Sequence, residues 1–191
     1  MGKVNKEGST TQKKYNIIYA DPPWTYEDKA HPGKRGAQYK YGLMGTQSLI
    51  DLRPMIDKIA AEDCLLAMWW TPPLIIDALR VIDGWGFKLK TAKGFTWRKM
   101  TVNGKEHFGM GRWTRNNTED CLFATRGRPK RVALNVRQLV SAKTREHSRK
   151  PDEVRDALVT LMGDIPRIEL FARQQHLGWD VWGNQVDGVE L

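Results

Sequence analysis

The chain has 191 residues, with 31 Lys and Arg against 22 Asp and Glu and a net charge of +9. That length fits one domain, expected to span residues 1–191 behind a flexible stretch at 1–14, and able to bury about 70% of its unfolded surface without staples. Cys64 and Cys121 sit in apolar runs and the four histidines are scattered, so neither a disulfide framework nor a metal site is indicated; the polar N-terminus reads as having no leader, no apolar run approaches the ~20 residues of a membrane span, and the expected compartment is the cytoplasm.

In chain order, residues 15–20 (Tyr-Asn-Ile-Ile-Tyr-Ala) predict a buried strand that runs into Asp21-Pro22-Pro23-Trp24. A Gly- and Lys-rich stretch to Gly45 reads as a mobile loop. Thr46 is expected to cap a helical region over 46–61, interrupted near Pro54. Residues 64–70 form a continuous apolar strand. Pro72-Pro73 opens a helix whose Leu74, Ile75, Ala78, Leu79 and Ile82 share one face, with Gly84 as its stop. Strands are predicted over 87–98 and 119–125, with a basic Gly-rich loop between them. Pro151-Asp152-Glu153 begins a helix with acids in its first turn, ending at Gly163. Short strands follow at 168–171 and 179–182. This alternation predicts an α/β fold, a mostly parallel sheet with helices on both faces.

The positive charge is concentrated. Residues 86–117 hold eight Lys and Arg against Glu106 alone, and residues 126–150 hold nine against Glu146 alone. Lys and Arg that displace counterions from phosphates suit a polyanion. Phe95, Trp97, Phe108 and Trp113 are interleaved with them as expected stacking surfaces for unpaired bases, and Trp113 with Arg115 is the pair assigned to substrate. A solvated basic face without a ligand is the competing reading.

Asp21-Pro22-Pro23-Trp24 is the segment richest in chemistry. The exocyclic amine of adenine or cytosine is a poor nucleophile because its lone pair is delocalised into the ring. Alkylating it requires acceptors for its N–H bonds. Asp21 offers a carboxylate. Two prolines stiffen the backbone, bring no donor of their own, and leave the Pro22 carbonyl as a second acceptor. Trp24 is expected to present its ring to the base. An ordinary strand-to-loop turn is the plain alternative. Ligands of such sheets bind at the carboxyl ends of strands where the chain order reverses, which singles out Asp21 and the segment Phe171-Ala172-Arg173. Gly33-x-x-Gly36 and Gly109-x-Gly111 lack the context of a dinucleotide fingerprint, so a cofactor without a pyrophosphate is expected.

Six features in this order resemble the S-adenosylmethionine-dependent adenine methyltransferases that carry Asp-Pro-Pro-Trp, the family of the seventy-kilodalton (MT-A70-type) catalytic subunit of the messenger-RNA adenosine methyltransferase. They are Tyr19 to Trp24, Tyr41-Gly42, Trp69-Trp70-Thr71, Lys150-Pro151-Asp152-Glu153, Ile168 to Arg173, and Trp182-Gly183-Asn184-Gln185. The resemblance implies a Rossmann-like methyltransferase in the permuted β-class order, with the catalytic motif ahead of the cofactor strand. It implies S-adenosylmethionine as cofactor and Asp21, Pro22, Pro23 and Trp24 as the catalytic segment. Asp21, Lys150, Phe171, Arg173, Asn184 and Gln185 would bind the cofactor, and Tyr41 would close over the substrate. A family lysine for the cofactor carboxylate falls near Thr118, which leaves Arg115 or Lys150 for that role, and Gln175-His176 replaces the family's His-Asn. The expected reaction is methylation of the N-6 amine of adenine, on DNA in preference to RNA, by a chain that could pair as a homodimer. A non-catalytic nucleic-acid-binding partner and a glutamine-amide methyltransferase are the competing readings.

Overall fold

The computed structural model describes residues 12–25, 42–111, 113–145 and 149–191. Among the described residues seven strands and four α-helices follow one another: β1 (Tyr15–Ala20), α1 (Thr46–Ile50), α2 (Arg53–Ile59), β2 (Ala60–Trp70), α3 (Ile75–Gly84), β3 (Lys88–Met100), β4 (Thr118–Arg126), β5 (Leu139–Lys143), α4 (Asp152–Met162), β6 (Arg167–Leu170) and β7 (Asp180–Trp182). The sheet order is β5-β3-β4-β2-β1-β6-β7. Only β4 opposes its neighbours, pairing antiparallel with β2 and β3, while every other pairing is parallel. The strand that carries Asp21 precedes the strand that leads to Arg173 in sequence and lies beside it in space, the permuted order expected.

Alternation along the central strands sends side chains to two cores. Ile18, Ala20, Leu66, Met68, Leu122, Ile168 and Leu170 pack with α1, α2 and α3 on one face. Ile17, Tyr19, Leu65, Ala67, Trp69 and Cys121 pack with Val154, Leu158 and Met162 of α4 on the other. A period of two with apolar residues on both faces is the pattern of a strand covered on both sides. Trp85 closes the first core: its ring is fully buried and its Nε1 donates to the Leu49 carbonyl at 2.6 Å, tying the end of α3 to α1. Both cysteines are buried. Among the described residues no helix is long and apolar enough to cross a membrane.

Four local expectations need correction. Thr46 does not cap α1. Gly45 is the N-cap, and Thr46 Oγ1 instead donates to Asp77 Oδ1 at 2.7 Å, stitching α1 to α3. The run Pro72–Leu74 is a 3₁₀ turn, and α3 starts only at Ile75. Phe171 lies just past β6 with φ of 61°, the left-handed region that a bulky residue rarely occupies. β5 was not anticipated: its five residues lie within a basic stretch, at the sheet edge, and are held by β3 and by Trp97 Nε1 donating to the Ala142 carbonyl at 2.9 Å.

β3 bends across β4 through register shifts between Leu89 and Thr91 and between Thr91 and Phe95, and Gly94 sits in that bulge. A Cβ at Gly94 would lie 2.3 Å from the Phe123 ring, which itself packs edge-on to Phe95. Gly94→Ala is therefore expected to lose about 1–3 kcal/mol through overpacking, read as a lower urea midpoint at unchanged slope; an unaltered midpoint contradicts this packing.

Candidate active site

β1 lies between β2 and β6, with Ala20 level with Met68 on one side and Leu170 on the other. The chain runs from β1 to one side and returns on the other, so the crevice beyond these strand ends is a topological switch point. Asp21 stands at its rim. One cleft of roughly 830 Å³, open to solvent, is lined by Asp21, Pro23, Met44, Phe171, Arg173, Trp182, Gly183, Asn184 and Gln185. Five of the six residues expected to hold a cofactor thus share one wall system. The sixth, Lys150, reaches Asp21 from behind, its Nζ 2.8 Å from Asp21 Oδ2.

The floor of this cleft is made by close backbone contact. Ala172 N–H donates to the Trp182 carbonyl at 3.0 Å, and a Cβ on Gly183 would lie 2.2 Å from the Ala172 oxygen, so only glycine allows the two segments to meet. Phe171 pays the conformational strain of its left-handed backbone, a feature that concentrates at ligand sites, and its ring stands edge-on to Trp182 at 5.6 Å.

A second cleft, roughly 1,400 Å³ and also open, is lined by Trp70, Thr71, Pro72, Met110, Trp113, Arg115 and Glu119 among others. Trp113 is 98% exposed, and the Arg115 guanidinium lies 5.0 Å from the centre of the exposed Phe108 ring. Trp113 and Arg115 thus line one cleft, and Arg115 also meets the Phe108 ring. Phe95 and Trp97 do not join them, because both are buried in the core against β5 and α4.

An ion cluster connects the two clefts. Lys150 Nζ lies 3.4 Å from Glu119 Oε2 as well as 2.8 Å from Asp21, Lys99 Nζ donates to Glu119 Oε1 at 2.5 Å, and Lys150 sits over the Trp69 ring at 5.5 Å. Burial alone would push the Glu119 carboxyl up, but Lys150 and Lys99 outweigh it and hold it below the usual carboxylate range. Burial works to lower the Lys150 ammonium, and the Asp21 and Glu119 carboxylates reverse this and raise it above its ordinary value. Glu119 and Lys99 went unassigned from sequence. The signal lay in strand direction, since the first residues of β4 reach the carboxyl edge of the sheet only because β4 runs backwards.

One assignment within Asp21-Pro22-Pro23-Trp24 fails and a second is narrowed. Trp24 does not present a stacking face: it is 6% exposed, and its Nε1 donates to the Trp69 carbonyl at 3.1 Å, so the ring locks the turn onto β2. The Pro22 carbonyl is not wholly free to point outward, because it accepts the Trp24 N–H at 2.9 Å and keeps one lone pair for another donor. The Pro23 carbonyl accepts the Met44 N–H at 2.9 Å, which fixes the returning chain beside the motif. Tyr41, Gly33, Gly36, His31, His147 and the stretch 1–11 lie outside the described residues.

The profile of the MT-A70 family matches residues 15–185. A type II methyltransferase, M.MunI of Mycoplasma sp, is 35% identical over 92% of this chain and 79% of its own length. An N(6)-adenosine-methyltransferase MT-A70-like protein of Arabidopsis thaliana is 28% identical over 93% of this chain but 24% of its own. The human N(6)-adenosine-methyltransferase catalytic subunit METTL3 is 24% identical over 93% of this chain and 29% of its own. The chain thus spans most of the first relative and about a quarter of the other two.

The cluster gives a pH-dependent expectation. Glu119 contributes stability above its unfolded pKa, which is lost as pH falls through the depressed folded value, while Lys150 contributes below its unfolded pKa, lost as pH rises through the raised folded value. Both contributions are present at pH 7. Lys150→Met is expected to cost about 3 kcal/mol at pH 7, the low end for breaking a buried pair, and less at pH 4, where carboxylates left without a cation can take up protons. Denaturant melts of both proteins at the two pH values check this; an equal cost at both contradicts it.

Proposed function

The chain belongs to the MT-A70 family of methyltransferases, and on that premise we propose that it transfers a methyl group from S-adenosylmethionine to the exocyclic N-6 amine of adenine in DNA. The observation that carries this reading is the position of Asp21, whose carboxylate lines the first cleft and is tied through Lys150 to Glu119 in the lining of the second. The residues of the first cleft, with Lys150 behind Asp21, suit the cofactor chemically. Asp21 matches an ammonium, Lys150 a carboxylate, Arg173 a ribose, and the exposed amides of Asn184 and Gln185 the edge of an adenine ring. When bound, S-adenosylmethionine supplies an electrophilic methyl on a sulfonium.

The protein's own groups do the rest. Lys150 holds Asp21 Oδ2 and leaves Oδ1 to accept one N–H of the target amine. The remaining lone pair of the Pro22 carbonyl accepts the other. Two acceptors draw the nitrogen lone pair out of the ring and aim it, an orientational and electrostatic contribution. Once alkylated, the nitrogen is acidic, and its proton leaves to Asp21 or to water. No covalent enzyme intermediate is required. The second cleft, with Trp113 and Arg115, is where we place the extruded base and its flanking strand. Extrusion from a duplex costs a few kcal/mol, which stacking of roughly 1–3 kcal/mol per base and phosphate contacts offset.

The preference for DNA is supported by extent of similarity: the relative that shares most of its length with this chain carries a type II methyltransferase name. RNA is the second reading, favoured by relatives named as N(6)-adenosine-methyltransferases. An inactive binding partner is disfavoured by the retained Asp21 and its cation. Pairing of two copies and cytoplasmic location remain parts of the proposal that rest on the sequence.

Labelled methyl transfer to duplex DNA, single-stranded DNA and RNA, followed by nucleoside identification, tests the reading. Label is expected in N-6-methyladenine from DNA, with Asp21→Ala slowing transfer about 10²- to 10³-fold. Label in RNA alone selects the second reading, and none in any substrate removes the catalytic one. Trp113→Ala is expected to leave folding intact and weaken nucleic-acid binding by roughly 5- to 150-fold, the equivalent of one lost stack; unchanged affinity would take Trp113 out of the substrate site.

A further inference from the structure

Behind the Asp21–Lys150 pair lies a second set of buried charges that lines neither cleft. Arg155, one turn into α4, is 7% exposed and places Nε and Nη2 2.7 and 2.8 Å from the two oxygens of Glu169 on β6. Its Nη1 donates to Asp152 Oδ1 at 2.8 Å, in the first turn of the same helix. Its guanidinium lies 5.3 Å from the centre of the Tyr19 ring, two residues before Asp21. Tyr19 Oη in turn accepts from Trp69 Nε1 at 2.6 Å, and the Trp69 ring is the surface over which Lys150 sits.

These contacts join the three elements whose ends make the site: β1, which delivers Asp21; β6, which leads to Arg173; and α4, which begins two residues after Lys150. A buried ion pair adds little net stability over apolar residues of the same volume, because desolvation cancels most of the attraction. What a bidentate fork adds is direction, since two parallel hydrogen bonds fix the plane of the guanidinium against the carboxylate. Here that fixes the rotation of α4 against β6, and with it the place of Lys150.

We propose that Arg155 is a positioning residue, which acts through the first turn of α4 and the Tyr19–Trp69 contact to hold the Lys150 ammonium against Asp21. The inference rests on the methyl-transfer reading above. It predicts that Arg155 matters to cofactor binding and to transfer only through Lys150, although it touches neither cleft.

A cycle of variants tests this: wild type, Arg155→Met with Glu169→Leu, Lys150→Met, and all three changes together. Removing both charges of the pair leaves no orphan in the core. Each protein is assessed by thermal melting, by calorimetric titration with S-adenosylmethionine, and by single-turnover transfer to DNA. The paired replacement is expected to stay folded, to bind the cofactor about tenfold more weakly, and to add less than twofold when Lys150 is already Met. Arg155→Lys, which keeps the charge without the fork and guards against a failure of the apolar pair to fold, is expected to show an intermediate loss. Equal losses in both Lys150 backgrounds, or wild-type affinity in Arg155→Lys, overturn the proposal while leaving the functional reading intact. Wild-type protein that binds no S-adenosylmethionine overturns both.

Discussion

The site depends on a lysine held at the end of the central strand. Lys150 is drawn to Asp21 and Glu119 and is largely removed from water, so its charge is screened less from both carboxylates than it would be at the surface. Without that cation, two acids facing the same point would repel, and one would be pushed toward its protonated form. With the ammonium between them, Asp21 stays an acceptor with one oxygen committed and one to spare. The ion cluster that links the two clefts is therefore already balanced in charge.

The fold is the means of bringing these three groups together. β1 carries Asp21 to the carboxyl edge of the sheet by parallel pairing, and β4 carries Glu119 to the same edge by running backwards. Lys150 arrives from the segment ahead of α4, where Pro151 keeps the preceding residue extended and serves as N-cap of the helix. The Pro-Pro turn is then locked from both sides, by the Trp24 indole on the Trp69 carbonyl and by the Met44 amide on Pro23. Rigidity at this point matters because displacement chemistry rewards alignment and tolerates little drift.

Much of this was legible in the residues. β1, β2, β4, α4 and β7 lie within a few residues of where apolar pattern, proline and glycine place them, and five of the six residues expected around a cofactor line one cleft. The misreadings have physical causes. Trp24 looked like a stacking platform because an indole after two prolines has no partner in sequence; its partner, the Trp69 carbonyl, is 45 residues away. Phe95 and Trp97 resemble further platforms because the basic residues that flank them, Lys93, Arg98 and Lys99, mask the alternation that buries both rings. Glu119 carries no signal in the sequence because its place at the carboxyl edge depends on the direction of its strand, which composition does not reveal. β5 escaped because an edge strand of five residues, with basic neighbours, has too little apolar pattern to announce itself.

The claim that Asp21 works as a charged acceptor in partnership with Lys150 is tested most directly by Asp21→Asn, which keeps the size of the side chain and one oxygen but removes the charge. Single-turnover transfer from labelled S-adenosylmethionine to adenine in duplex DNA is the measurement, with folding followed in parallel. The account expects a folded protein whose transfer is slower by about 10²-fold or more. Transfer within a few-fold of wild type would contradict it, and would place the activation of the amine elsewhere in the two clefts.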